Sequence, residues 1–126
     1  MANIVAFIRE RLEEDKQRAL AASPGPWHLN AEHDEVIAAD DIEVCTAFAL
    51  SNNQLRNTAR FIAHHDPERI LRDVEADLAV LFEHDEVECC STCLDDVDGC
   101  PTFRALAYKH ATHPDWQPHW KPEESR

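Results

Sequence analysis

The chain has 126 residues, and 25 acidic against 12 basic side chains give it a formal charge of −13. Nucleic acid and anionic lipid are gripped by Lys and Arg against phosphate, so this balance disfavours both as partners. No apolar run approaches the roughly 20 residues of a membrane-spanning helix, and a hydrophobic content of 44% supports one modest core, hence a single domain over residues 1–126.

The first predicted element is a helix over residues 1–22, capped by Asn3. Ile4, Ile8 and Leu12, with Val5 beside them, recur at helical spacing, while Glu10, Arg11, Glu13, Glu14 and Lys16 fall mostly off that stripe and are expected to face water. The alternation of apolar and charged residues does not read as a secretion signal. Ser23-Pro24-Gly25-Pro26 ends the helix, because neither proline can donate to its ladder.

Residues 27–50 change character. Glu35 to Ala39 and Glu43 to Phe48 are short β-leaning runs with Asp40-Asp41 as the turn between them, and Trp27 to Leu29 is a candidate third strand. A lone hairpin is unstable in water, so one face must pack on helices. Trp27 reads as an anchor over this sheet, and Cys45 as a small buried apolar residue.

Residues 51–86 read as two helices. Ser51 or Asn52 opens the first, with Leu55, Ala59 and Ile62 along one face, and it ends near His65. His64-His65 suits a helix C-terminus, where imidazoles meet the last carbonyls. Asp66-Pro67-Glu68 restarts the chain with a capping acid and a proline at the first helical position. Ile70, Leu71, Val74, Leu78, Leu81 and Phe82 then form one wide apolar face, predicted to be the backbone of the core. Cys100-Pro101 repeats the cap-then-proline pattern and opens a fourth helix through Phe103, Leu106, Ala107 and His110. The tail, with Pro114, Pro118 and Pro122, cannot form a regular helix; Trp116 and Trp120 are expected to pin it. The fold class is therefore α+β and mainly helical, with about four helices, a small antiparallel sheet and a metal-stapled C-terminal region.

The chemistry sits in residues 84–113. His84, Cys90, Cys93 and Cys100 form a candidate zinc site, because two cysteines separated by two residues bite one tetrahedral ion from a tight turn, and a third thiolate and an imidazole close the shell. Soft ligands of this kind select Zn2+ over magnesium or calcium. Without a secretion signal, clustered cysteines read as metal ligands before disulfides and imply the cytoplasm. Cys89 is an alternative to Cys90. If Pro101 to Ala111 is helical, His110 and His113 lie roughly 14–18 Å along the axis from Cys100, so His84 is preferred as the fourth ligand.

A closed shell of four protein ligands argues for a structural rather than catalytic ion. His84-Asp85-Glu86 with Cys90-x2-Cys93 mimics the short signature of zinc deaminases, but the halves are too close in sequence for the fold that signature needs. A DNA-reading finger requires basic and amide side chains, and the fourth helix offers Arg104 and Lys109 beside an acidic loop. The glycines, Gly25 and Gly99, are too few for a phosphate-cradling loop.

Several segments together resemble a family of small proteins of unknown function from actinobacteria and their phages. They are Ile4 to Ile8 with Arg11 to Asp15, Ser23 to Trp27, Ile62 to Leu71 with Val74 to Ala76, Cys90-x2-Cys93, Cys100 to Tyr108, and His113-Pro114-Asp115-Trp116. The resemblance spans nearly the whole chain apart from the hairpin, and it implies a phage or mobile-element context without an assigned reaction. Because its motif includes His113, it keeps His113 open as an alternative fourth ligand, should the last helix end near Leu106. The functional expectation is a non-enzymatic, zinc-stabilised module that binds a host or phage protein, one with a basic surface being the natural complement. The rivals are an acidic mimic of nucleic acid that inhibits a DNA- or RNA-binding protein, a small zinc hydrolase, and a redox sensor using Cys89 and Cys90.

Overall fold

The structure, a computed structural model, describes residues 3–85 and 99–123. Its elements run α1 (Ile4–Ala21), β1 (His28–Leu29), β2 (Glu35–Ile37), β3 (Glu43–Thr46), α2 (Asn52–His64), α3 (Pro67–Asp85) and α4 (Pro101–Tyr108), then a 3-10 turn at Pro118–Trp120. The class is mainly helical α+β, as predicted. The cysteine turn expected between α3 and α4, with Cys89, Cys90 and Cys93, lies outside the described residues.

Two compact units are formed. Asp15–Asp73 makes a central unit, and the two chain ends make a terminal unit whose described residues are 3–14, 74–85 and 99–123.

In the central unit β1, β2 and β3 form an antiparallel sheet in that order, pairing Leu29 with Val36 and Val36 with Cys45. Local side-chain chemistry sets both turns. Asn30 accepts from the amides of Asp34 and Glu35 at 3.0 Å each, holding the β1–β2 turn in which His33 takes a positive φ of 60°. At the β2–β3 tip Asp40 accepts from the Ile42 amide, and Asp41 adopts φ 66°, a conformation that Asp tolerates better than most residues. α2 lies against β1 and β2. Val36, Ala47 and Ala59 are buried there, with Trp27, Leu29, Cys45, Leu55 and Ile62 half-buried around them. Trp27 thus covers the sheet as expected, while Cys45 is half-buried rather than enclosed.

Asp66 joins two loops of this unit. One carboxylate oxygen accepts from the Arg69 amide at 2.9 Å and so caps α3; the other accepts from the Trp27 amide at 3.0 Å. Gly25 permits the approach: a Cβ there would stand 3.0 Å from Glu68 Cγ and 3.2 Å from the Asp66 carboxylate. The Trp27 indole then donates to the Ser23 carbonyl at 3.0 Å.

In the terminal unit Ile4, Phe7, Ile8 and Leu12 of α1 are buried, as are Val74, Leu81, Phe103, Leu106, Ala107 and Trp120. Asn3 caps α1 by accepting from the amides of Val5 and Ala6 at 2.8 and 3.2 Å. Trp120 lies 5.2 Å from the Phe7 ring and pins the tail as predicted. Three expectations need correction. Arg11, expected in water, is only 7% exposed, because α1's buried arc runs through Phe7, Ile8 and Leu12 and position 11 falls at its centre. Leu78 and Phe82, expected in the core, are 40% and 54% exposed. The buried line of α3 in this unit is Val74, Asp77 and Leu81, with the Asp77 carboxylate paired to Lys109 Nζ at 2.8 and 2.9 Å. Finally, α4 stops at Tyr108, short of His110, and the chain continues as a series of tight turns.

Candidate functional site

Of the predicted zinc ligands, His84, Cys100 and His113 lie among the described residues, all in the terminal unit; Cys89, Cys90 and Cys93 do not. His84 stands in the last turn of α3 with its ring edge-on to Phe103, centroids 5.9 Å apart. Phe103 belongs to the first turn of α4, the helix that Cys100 opens. Position 84 therefore meets the same helix end as the buried Cys100. Nδ1 of His84 is buried and has no hydrogen-bond partner among the described residues. A buried ring nitrogen loses its hydration and needs a partner in exchange, here from beyond the described residues. Among the described residues no group of three or more His, Cys, Asp or Glu is arranged to hold a metal ion.

His113 has a different environment. Its Nδ1 accepts from the Asp115 amide at 3.0 Å, and Arg11 Nη1 lies 3.0 Å from that nitrogen and 2.7 Å from Nε2. The ring packs edge-on to Phe7 at 5.7 Å. A metal must take a nitrogen lone pair, and here one nitrogen faces two donors while the other has a guanidinium against it. Arg11 itself is held by Glu14 at 3.0 Å and sits over the Phe7 ring, 5.2 Å from its centroid. This knot, with Arg11 and Phe7 buried and Glu14 and His113 half-buried, was missed by reading Arg11 as a surface charge. The spacing of position 11 from Phe7 and Ile8 was the signal that could have found it.

The central unit concentrates negative charge on its sheet. Glu35 titrates above the ordinary carboxylate value, chiefly through repulsion from Glu43 on the adjoining strand, with smaller parts from desolvation, Asp34 and Glu32. Beyond β3 the chain presents Phe48, 83% exposed, and a fully exposed Leu50. Their neighbour Ala47 is buried in the core, so this short loop is anchored at one end and apolar at its tip.

No helix among the described residues is long and apolar enough to cross a membrane. No curated protein and no solved structure matches the chain. One family does: its description, a family of unknown function (DUF6221), matches residues 1–122, nearly the whole sequence. The chain belongs to the DUF6221 family.

Proposed function

We propose that the protein is a non-enzymatic, zinc-stabilised interaction module, of the kind that a phage or mobile element of actinobacteria carries to bind a host protein. The observation that carries the interaction reading is the exposed pair Phe48 and Leu50 at the tip of an anchored loop. Large apolar side chains of this kind serve as anchors when a partner covers them. The zinc reading is supported by the Nδ1 of His84, without a partner among the described residues, beside the helix that Cys100 opens. Cys90 and Cys93 would supply the remaining thiolates, and His84 is preferred to His113, whose nitrogens already face Arg11 and Asp115. The ion's part would be to hold α3 and α4 together at the cysteine turn, adding metal-binding free energy to the stability of a small core.

Affinity capture from an actinobacterial host lysate with the wild-type chain and with Phe48→Ala/Leu50→Ala tests the interaction. Retention of a stoichiometric protein by the wild type, lost in the double variant at unchanged circular dichroism, is expected. Identical retention by both chains, or none by either at low salt, contradicts the reading.

A second version is favoured by the crowding of carboxylates around Glu35. A row of acids on a sheet can imitate a phosphate backbone and occupy the basic surface of a DNA- or RNA-binding protein. Binding of that kind weakens steeply with added salt, so a partner retained equally at low and high salt rules it out.

A further inference from the structure

The central unit holds an open cleft of about 440 Å³ between the segment Pro26 to Leu29 (which includes β1), the end of α2 and the start of α3. Its volume lies within the roughly 300–1,000 Å³ common for small-molecule sites. Arg60 and His64 are one turn apart on α2, and Arg69 and Arg72 are one turn apart on α3, so each pair shares a helix face. All four line the cleft with Trp27.

This concentration of guanidinium runs against the character of the chain, in which 25 acids face 12 bases. Two carboxylates also line the cleft, Asp66 and Glu68. Asp66, however, is 7% exposed and spends its oxygens on the main-chain amides of Trp27 and Arg69. Arg69 is held in place, with one guanidinium nitrogen on His64 Nε2 and Nε 3.8 Å from Asp73. Arg60 bonds the neutral amide oxygen of Asn57 at 3.1 Å. Among the described residues neither Arg60 nor Arg72 has a carboxylate partner. Glu68 is exposed and one helical turn from Arg72, so it offsets part of the positive charge. Arg60, Arg69, Arg72 and His64 still outnumber it, and the guanidiniums of Arg60 and Arg72 remain available to the cleft.

Trp27 supplies the other half of the chemistry. Its backbone is tied to Asp66 and its indole to the Ser23 carbonyl, so the ring is oriented before any ligand arrives. Guanidinium forks match phosphate oxygens in pairs, and an oriented indole offers a stacking surface to a planar base. We propose that the cleft binds a nucleotide-sized organic phosphate, its phosphate held by Arg60 and Arg72 and its base against Trp27. This goes beyond the protein-binding reading and depends neither on zinc nor on the Phe48 loop.

The test is titration of the full chain with AMP, adenosine, ribose 5-phosphate and inorganic phosphate. It is followed by calorimetry and by the Trp27 indole NMR resonance, which Trp27→Phe assigns. AMP is expected to bind with a Kd of about 1 mM or tighter and to shift the Trp27 signal, with adenosine and ribose 5-phosphate each weaker by about tenfold or more. Arg60→Ala/Arg72→Ala, both at exposed positions, should keep the fold by circular dichroism and weaken AMP by about tenfold or more. The proposal is overturned if AMP leaves the Trp27 signal unmoved at about ten times that concentration. It is equally overturned if the folded double variant binds AMP as tightly as the wild type, or if ribose 5-phosphate binds as well as AMP.

Discussion

Asp66 accepts two main-chain hydrogen bonds, one from Trp27, 39 residues earlier in the chain, and one from Arg69 in the α3 cap. Its capping role follows from the Asp-Pro-Glu sequence; its bond to Trp27 does not, because nothing local records that Gly25 lets that loop approach. Asp66→Ala removes a helix cap and leaves the Trp27 amide unpaired. It should cost about 2–4 kcal/mol, read by urea denaturation; Asp66→Asn, which keeps an acceptor oxygen, should cost less than the alanine variant. A loss below about 0.5 kcal/mol for Asp66→Ala would contradict this assignment. Glu35 presents the opposite case, a carboxylate whose neighbours repel it. Its raised pKa means that the folded chain binds this proton more tightly than the unfolded chain. Stability from this residue is therefore present below the ordinary carboxylate value and falls as pH rises through the raised one. Glu35→Gln should stabilise the protein at neutral pH, and the gain should vanish in acid; a gain that persists unchanged below the carboxylate range contradicts repulsion as its cause.

At the scale of elements, the signals that could be read were local ones. Asn3, Ser51 and Asp66 each cap the helix that follows, and Asp40-Asp41 makes the hairpin tip. What failed was the decision about which face is inside. Arg11 and Asp77 are charged residues on buried arcs, and each is accommodated by partners far along the chain: His113 for Arg11 and Lys109 for Asp77. Hydrophobic periodicity counts charges as solvent-facing and has no means of seeing such partners. α4 similarly ended early, since the turns after Tyr108 carry His113 back to Arg11. The packing of α2 on the sheet gives a direct check. Ala59 is fully buried in one cluster with Val36 and Ala47, so a larger side chain there must displace its neighbours. Ala59→Leu should destabilise the chain by about 1–3 kcal/mol in thermal or urea unfolding; a neutral or stabilising result would show that α2 does not sit on the sheet as described.

For the whole molecule, the 126-residue chain carries a formal charge of −13 and a core divided between two compact units. Small cores of this kind gain from a metal staple. Cysteine spacing is a strong sequence signal for such a site because tetrahedral coordination constrains spacing as well as residue type. The fourth ligand of the proposed site is harder to read from sequence, since it depends on where α3 and α4 end. The preference for His84 in the proposal rests on its buried Nδ1, which has no partner among the described residues, and on the Arg11 contact of His113. Function was the least legible, because composition names a surface and not its partner. The central claim, that zinc stabilises this domain through Cys90, Cys93, Cys100 and His84, is tested most directly by elemental analysis of the purified chain. The account predicts one zinc per chain, lost together with cooperative folding in Cys93→Ser; a metal-free chain that is fully folded would contradict it.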